Sequence, residues 1–167
     1  ISLFETPAFL SGRFYVQDEA SQLVTHIVNP AAGERILDYA SAPGGKSTHI
    51  AELSQGKAHV ISTDISPDRL QRLHENINRL GTPNITVSSM EQVWDSGKQY
   101  DAVLLDAPCS GLGTLRKNPE IRYRVTAQSL AEQSAQQLEI LERAAQLVRP
   151  GGRLIYSTCS FTTDENK

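Results

Sequence analysis

The chain has 167 residues, a formal net charge of −3 and 39% hydrophobic residues, which is enough for one domain with a substantial core. It contains no apolar run long enough to cross a bilayer and no basic-then-apolar leader at its start, so we expect neither membrane contact nor secretion. The slightly acidic balance excludes a general nucleic-acid binder that relies on overall positive charge.

Strand-like and helix-like segments alternate along the chain. The spacing of apolar residues predicts a first helix around residues 12–28, and Ser66 followed by Pro67 is a typical helix start. The predicted strands span residues 35–39, 58–63, 84–87 and 103–105, with a last strand that starts at Gly152 after Pro150-Gly151. The other predicted helices span 46–53, 67–80 and 126–148, the last with Leu130, Leu138, Leu141, Ala145 and Val148 facing inward. This alternation predicts an α/β fold with a doubly wound parallel sheet.

The two ends of the chain suggest a piece of a larger domain. The chain opens at Ile1 without an initiator Met and stops at Lys167, soon after the last predicted strand. A doubly wound domain normally continues past such a strand. We therefore expect an N-terminal segment over residues 1–30 and an incomplete catalytic core over residues 31–167.

A glycine-containing loop, residues 40–47, joins the first predicted strand to its helix, and two classes of ligand compete for it. Glycines let the backbone approach a ligand closely, and a helix start offers free amide hydrogens. The first class is a nucleotide phosphate, because Gly45-Lys46-Ser47 mimics the end of a P-loop and Asp106 mimics a magnesium-binding strand end. However, Ala40 stands where a P-loop needs glycine, and Pro43 removes one amide donor.

The second class is a nucleoside cofactor without phosphate, such as S-adenosylmethionine. Its ribose hydroxyls require a carboxylate, and Asp64 follows the second predicted strand, where an acidic ribose ligand belongs in nucleotide-binding sheets. The alternative role for Asp64 is to cap the next turn. The loop and the distal acid together favour this second class.

The two cysteines of the chain each follow one of the last two predicted strands. Because ligands gather at the carboxyl ends of parallel strands, we expect the sulfurs of Cys109 and Cys159 to share one site. The ordinary alternative is two small buried cysteines. Two cysteines form no disulfide framework, and free thiols are typical of a reducing compartment, which predicts a cytoplasmic protein.

Two thiols at one site suit methyl transfer to carbon 5 of cytosine. That carbon is a poor nucleophile until a thiolate adds to carbon 6, which splits one difficult step into two easier ones. A thiol with a pKa near ~8.5 supplies some thiolate at neutral pH. A carboxylic acid near ring nitrogen 3 stabilises the adduct by donating a proton, and Asp106 lies three residues before Cys109. This chemistry alone leaves open which thiol attacks.

A short basic stretch follows the first cysteine. Its cationic residues, which surround Tyr123, are Arg116, Lys117, Arg122 and Arg124. Positive groups clustered in this way can neutralise several phosphates of an RNA. A solvated loop is the alternative interpretation.

At these motifs the chain resembles the RNA cytosine-C5 methyltransferases of the Nop/Sun family. The matching motifs occur in order over nearly the whole chain, at residues 17–21, 42–46, 106–111, 157–160 and 164–166. Residues 116–122 are similar to the bacterial Sun (RsmB-type) branch of this family, which methylates a cytosine of 16S ribosomal RNA. The resemblance implies a class I, Rossmann-like methyltransferase fold, S-adenosylmethionine as cofactor, RNA as substrate and no metal.

The resemblance also implies roles for individual residues. Cys159 corresponds to the nucleophile and Cys109 to the thiol that assists product release, with Lys46 and Asp106 beside them. The residues expected to bind the cofactor are Ala42, Pro43, Gly44, Gly45, Lys46, Asp64, Arg69, Glu91 and Asp106.

Two positions depart from the pattern of the family. Ala40 stands where the family usually has a cysteine, and Glu91 where it usually has an aspartate near the adenine. The target base must be unpaired or flipped out of its stack. The alternative functions are a transfer-RNA cytosine methyltransferase of the same family, a P-loop NTPase and a non-catalytic RNA-binding paralogue.

Overall fold

The computed structural model describes residues 2–166 as alternating strands and helices. The strands are β1 (Arg35–Asp38), β2 (His59–Ser62), β3 (Ile85–Val87), β4 (Tyr100–Asp106) and β5 (Val148–Ser157). The α-helices are α1 (Pro7–Leu10), α2 (Glu19–Val28), α3 (Gly45–Leu53), α4 (Pro67–Leu80), α5 (Met90–Asp95) and α6 (Ala127–Gln146). Short 3-10 helices lie at Leu3–Glu5, Leu112–Thr114 and Pro119–Tyr123. This alternation confirms the predicted α/β class.

The five strands form one parallel sheet in the order β3-β2-β1-β4-β5. After β1, β2 and β3 have been laid down on one side, the chain crosses over to place β4 on the other side of β1. In open parallel sheets, ligands bind in the crevice outside the carboxyl ends of the two strands at such a reversal. The ends of β1 and β4 are therefore the expected place for a site.

Apolar side chains bury both faces of the sheet, as expected for parallel strands covered by helices. On one face, Ile36 of β1 and Leu104 of β4 pack with Val28 of α2, Ile50 of α3 and Leu73 of α4. The other face is covered mainly by α5 and α6, and its buried residues are Leu37, Tyr39, Val93, Tyr100, Val103, Leu105, Ala107, Ala144 and Leu147. No helix within residues 2–166 has the length and apolar character needed to span a bilayer.

The prediction of one helix around residues 12–28 was wrong at its start. Helix α2 begins only at Glu19, because Asp18 caps it by accepting a hydrogen bond from the amide of Ala20 at 3.1 Å. Gly12 has a φ of +73°, which does not fit inside a helix. The preceding segment packs on α4, where the Arg79 guanidinium lies 3.9 Å from the ring centre of Phe9.

The inward face predicted for the last helix was also partly wrong. Leu138 is 58% exposed and Ala145 is exposed, whereas Gln137 and Ala144 are buried. Val148 belongs to β5, which starts four residues before the predicted Gly152 and has a register shift against β4 in this region. Helix α5, which the sequence patterns did not predict, follows β3.

Candidate active site

A cavity of about 210 Å³ opens at the carboxyl ends of β1 and β4, where the sheet order reverses. It is bounded by the segment before α2, the end of β1, the glycine loop and the end of β4. The residues that line it are Tyr15, Val16, Gln17, Asp18, Ser21, Asp38, Ala40, Ser41, Ala42, Pro43, Gly45, Lys46 and Asp106. Four of the predicted cofactor-loop residues and the predicted acid Asp106 therefore meet at one cavity.

The glycine loop packs closely against the N-terminal segment. Gly44, in the left-handed region at φ +101°, precedes α3, so the first amide hydrogens of α3 follow this loop directly. A Cβ atom on Gly45 would lie 2.7 Å from the ring of Tyr15, a contact too short for any larger residue without movement of the ring. Tyr15 was not among the predicted site residues, because nothing in its sequence neighbourhood distinguishes it from a surface aromatic.

Asp64 and Arg69 lie against the same loop. Asp64, buried at the end of β2, accepts hydrogen bonds from the amides of Ala42 at 3.3 Å and Ser66 at 3.1 Å. The Arg69 guanidinium lies 3.4 Å from Asp64 and donates to the carbonyl of Ala42 at 2.7 Å. The capping role considered for Asp64 is thus present, together with a direct link to the predicted cofactor loop.

Asp38, at the end of β1, is a site residue that the sequence analysis missed. Its side chain is fully buried, its Oδ2 accepts from the Ser47 hydroxyl at 2.6 Å, and its Oδ1 has no partner among the described residues. Burial raises the pKa of Asp38 to about 7. An acid directly before the glycine loop was the signal available in the sequence.

Lys46 and Asp106 form an ion pair across the cavity. Lys46 Nζ donates to Asp106 Oδ2 at 2.6 Å, and the Ser157 hydroxyl donates to Asp106 Oδ1 at 2.7 Å. The Lys46 side chain is only 14% exposed, which makes this pair stronger than a pair on an open surface. Ser157 ends β5, so the pair joins α3, β4 and β5 at the edge where the cysteines follow.

The structure brings the two cysteine sulfurs together. Cys109 Sγ and Cys159 Sγ are 3.0 Å apart, and the amide of Cys159 donates to Cys109 Sγ at 3.3 Å. The alternative of two separately buried cysteines is wrong, since Cys159 is exposed and Cys109 only partly buried. The hydrogen bond from Cys159 stabilises a thiolate at Cys109 and lowers the pKa of Cys109 to about 7. The same contact raises the pKa of Cys159.

The four predicted RNA-binding residues are exposed, but they are not equally free. Lys117 pairs with Asp18, which caps α2 and lines the cavity. Arg122 donates to the Tyr123 hydroxyl at 2.8 Å and lies over its ring, with 4.7 Å between the guanidinium carbon and the ring centre. Arg116 and Arg124 are the remaining members of this exposed stretch.

Glu91 lies apart from the cavity that Ala42, Pro43, Gly45, Lys46 and Asp106 line. It is exposed in the first turn of α5, after β3. Glu91 does not belong to the set of described residues that line the cavity. Its contact with a cofactor adenine stays a prediction.

The chain matches one protein-family model over most of its length. The model describes 16S rRNA methyltransferase RsmB/F and matches residues 25–167. Two similar curated proteins are both named ribosomal RNA small subunit methyltransferase B. The Vibrio cholerae protein is 40% identical over 98% of this chain, and the Proteus mirabilis protein is 40% identical over 96%. The chain spans 38% of the length of each of these relatives.

Solved structures with similar sequences share the fold. The structure of PH0851 superposes with a TM-score of 0.92 at 39% identity, covering 99% of this chain and 38% of that one. NSun6 from Pyrococcus horikoshii, solved with SFG, superposes with a TM-score of 0.91 at 37% identity, covering 99% of this chain and 43% of that one. Together with the family model, these matches confirm the Rossmann-like methyltransferase fold and the predicted resemblance. The chain belongs to the RsmB/F family of 16S rRNA methyltransferases.

Proposed function

We propose that this domain transfers a methyl group from S-adenosylmethionine to carbon 5 of a cytosine in RNA, through a covalent bond to Cys159. The observation that carries this proposal is the contact of two sulfurs 3.0 Å apart. They follow the ends of β4 and β5, and the Lys46–Asp106 pair lies at the same edge of the sheet, where Asp106 ends β4 and accepts from Ser157 at the end of β5. The substrate we propose is 16S ribosomal RNA, the molecule in the name of the family. A ribosomal RNA substrate fits a cytoplasmic enzyme.

The residues around the cavity fit S-adenosylmethionine better than a nucleotide phosphate. Asp38 presents a carboxylate oxygen that has no partner among residues 2–166, which suits the cationic amino-acid end of the cofactor. Asp64 lies at the end of β2, where a ribose hydroxyl is bound in such sheets. The ammonium of Lys46 is held by Asp106 instead of being free for a phosphate. When bound, the cofactor supplies an electrophilic methyl group; SFG, an analogue of it, accompanies the similar NSun6.

The two thiols share one proton before the reaction. The amide of Cys159 donates to Cys109 Sγ, and the contact with Cys159 lowers the pKa of Cys109, so the negative charge of the pair resides on Cys109 and the Cys159 thiol is the donor between the sulfurs. Transfer of the Cys159 proton to Cys109 generates the attacking thiolate without a change in the charge of the pair. The Cys159 Sγ–C6 bond then forms, carbon 5 becomes nucleophilic, and the Lys46–Asp106 pair supplies a proton to ring nitrogen 3.

Release reverses the first proton transfer. After methylation, the proton on carbon 5 is lost to solvent and ring nitrogen 3 returns its proton to the Lys46–Asp106 pair. The Sγ–C6 bond breaks, with its electron pair returning to Cys159. Cys109 then gives its proton back to the departing sulfur, which restores the starting state of the pair. Without Cys109 the departing thiolate has no proton donor at 3.0 Å.

The test is transfer of labelled methyl to small-subunit RNA by the protein at its full natural length. We expect C159A to abolish turnover and to form no covalent enzyme–RNA adduct. We expect C109A to accumulate the adduct: without Cys109 the pKa of Cys159 is no longer raised by that neighbour, so Cys159 loses its proton to solvent and still attacks, while release fails. The reverse pattern in the two variants would assign the nucleophile to Cys109 instead.

Mapping of the labelled base identifies the substrate. A label at a cytosine of 16S RNA supports the proposal, whereas a label confined to transfer RNA would overturn the proposed substrate. RNA binding without any transfer would indicate a non-catalytic paralogue. Binding of ATP with magnesium in place of S-adenosylmethionine would indicate a P-loop enzyme.

A further inference from the structure

A buried carboxylate lies beneath the two cysteines. Glu165 is 3% exposed and accepts four hydrogen bonds. Its Oε1 accepts from the amide of Ser110 at 2.7 Å and from the Gln137 side chain at 3.0 Å. Its Oε2 accepts from the hydroxyls of Ser110 at 2.6 Å and Thr162 at 3.0 Å. A buried charge needs such a set of donors, so these contacts are what permit the carboxylate there.

The donors to Glu165 come from both cysteine-bearing loops. Ser110 directly follows Cys109 and supplies two of the four bonds, whereas Thr162 lies three residues after Cys159. Gln137 of α6 donates from its Nε2 to Glu165 and also to the carbonyl of Pro108, the latter at 2.8 Å. One side chain therefore ties the loop after β4, the loop after β5 and helix α6 together.

A further contact joins the backbone of Glu165 to β5, the strand that precedes Cys159. The Tyr156 hydroxyl, at the end of β5, donates to the Glu165 carbonyl at 3.0 Å. Ser110 directly follows Cys109, so the position of Ser110 constrains the position of Cys109. On the other loop, the chain turns back from Cys159 to reach Glu165 within six residues. If Glu165 were removed, the amide and hydroxyl of Ser110 would lose their acceptor, and the two loops would lose their shared anchor.

We infer that Glu165 is a positioning residue that holds Cys109 and Cys159 at the separation needed for both sulfurs to act on one base. This role rests on the proposed function, since it is the cytosine adduct that needs both sulfurs within reach of one ring. Glu165 itself does not touch the reacting atoms. A displacement of about 1 Å at a reacting group lowers rates by up to ~100-fold, so an anchor of this kind has a measurable effect.

Glu165 acts as an ionised acceptor. Burial opposes its ionisation, but the hydrogen bonds from Ser110 and Gln137 outweigh burial and lower the pKa of Glu165 to about 2. The side chain therefore carries its charge throughout the pH range in which the thiols titrate. A change in thiol reactivity between pH 6 and 9 does not arise from titration of Glu165.

Three variants separate positioning from charge. E165A removes all four acceptor contacts. E165Q keeps the shape, and its amide can face the hydroxyls of Ser110 and Thr162, because a hydroxyl can turn and accept as well as donate. D164N is the matched control, since it removes a neighbouring carboxylate whose residue is exposed.

The readout is the formation of a Cys109–Cys159 disulfide in the protein at its full natural length. Diamide oxidises the two thiols to the disulfide and takes up both hydrogens as the hydrazine. The cross-linked peptide is quantified by mass spectrometry. We expect E165A to slow this reaction by about tenfold or more and to lower kcat for methyl transfer by a similar factor. Binding of S-adenosylmethionine should stay within about twofold of the unchanged protein, and E165Q should recover most of both rates.

Several outcomes decide the inference. Wild-type rates of cross-linking and transfer in folded E165A would overturn it, as would equal losses in E165A and D164N. If E165A does not fold, T162V removes a single donor on the Cys159 side and should still slow cross-linking. If cross-linking responds to E165A while the unchanged protein methylates no RNA, the positioning by Glu165 stands and the proposed function fails.

Discussion

Cys109 and Cys159 have the same side chain but different proton affinities. The amide of Cys159 donates to Cys109 Sγ and the neighbouring sulfur lowers the pKa of Cys109, whereas the pKa of Cys159 is raised by the sulfur of Cys109 beside it and by Asp106 nearby. Negative charge is therefore favoured on the sulfur of Cys109 and disfavoured on the sulfur of Cys159. The attacking thiol proposed for this family is the one that holds the proton at rest, so a transfer between the sulfurs must precede attack.

The thiolate of this pair gives a pH-dependence prediction. Because the pKa of Cys109 is lowered to about 7, its thiolate is lost as the pH falls through 7. Alkylation of Cys109 by iodoacetamide, followed by mass spectrometry, should therefore rise between pH 6 and 8 with a midpoint near 7. In C109A the thiol neighbour that raises the pKa of Cys159 is gone, so Cys159 should be alkylated faster at pH 7.5 than in the unchanged protein. Equal rates at Cys159 in the two proteins would contradict a shared proton.

At the scale of elements, the sequence predicts the five strands better than the short elements between them, although β4 was predicted over residues 103–105 only and spans Tyr100–Asp106. The middle of β1 (residues 36–37) and of β4 (residues 102–105) is apolar and fully buried because both faces of the sheet are covered, and both strands were predicted. Helix α5 was missed because six residues are too few to show a period, although Ser89 and Gln92 form a capping box at its start. Pro150-Gly151 lies inside the bulged start of β5, but from the sequence alone this pair predicts a boundary between two elements.

The inward face of α6 was misjudged for a chemical reason. Gln137 is buried because it donates to Pro108 and Glu165 beneath the cysteine loops. A search for apolar periodicity passes over a buried polar residue, so it assigned the inward position to the neighbouring Leu138 instead. The residues that support the site, such as Gln137, Asp38 and Tyr15, come from separate parts of the chain, and their proximity is set only by the complete fold.

The 3-10 helix Leu112–Thr114 gives a prediction at this scale. The amide of Gly113 donates to the Cys159 carbonyl at 2.9 Å, and a Cβ atom on Gly113 would lie 2.8 Å from that oxygen. G113A must therefore push this helix away from Cys159 and widen the gap between the sulfurs. We expect diamide cross-linking of Cys109 to Cys159 and methyl transfer both to fall by about tenfold. Thermal unfolding measured in parallel should shift by only a few degrees; a wild-type cross-linking rate would show that the backbone adapts without moving Cys159.

At the scale of the whole molecule, charge is distributed unevenly around a net value of −3. The basic stretch at residues 116–124 follows β4 at the active edge of the sheet, and Lys117 reaches Asp18 at the rim of the cavity. The lysines that precede β2 and β4, Lys57 and Lys98, lie at the opposite end of the strands. An RNA that places a cytosine at the two sulfurs would therefore run over the basic stretch at residues 116–124 and away from Lys57 and Lys98.

This asymmetry predicts how RNA binding depends on salt. Each phosphate neutralised by a cation releases counterions, so the slope of log K against log salt is about −0.7 per contact for single strands. Replacement of Arg116, Lys117, Arg122 and Arg124 by alanine should weaken RNA binding and reduce this slope by roughly 2. This decrease in slope is smaller than four full phosphate contacts would give, because Lys117 is already paired with Asp18. The measurement is a titration of labelled RNA at several salt concentrations, with K57A/K98A as the control. An unchanged slope in the quadruple variant, or an equal loss in the control, would place the RNA path elsewhere.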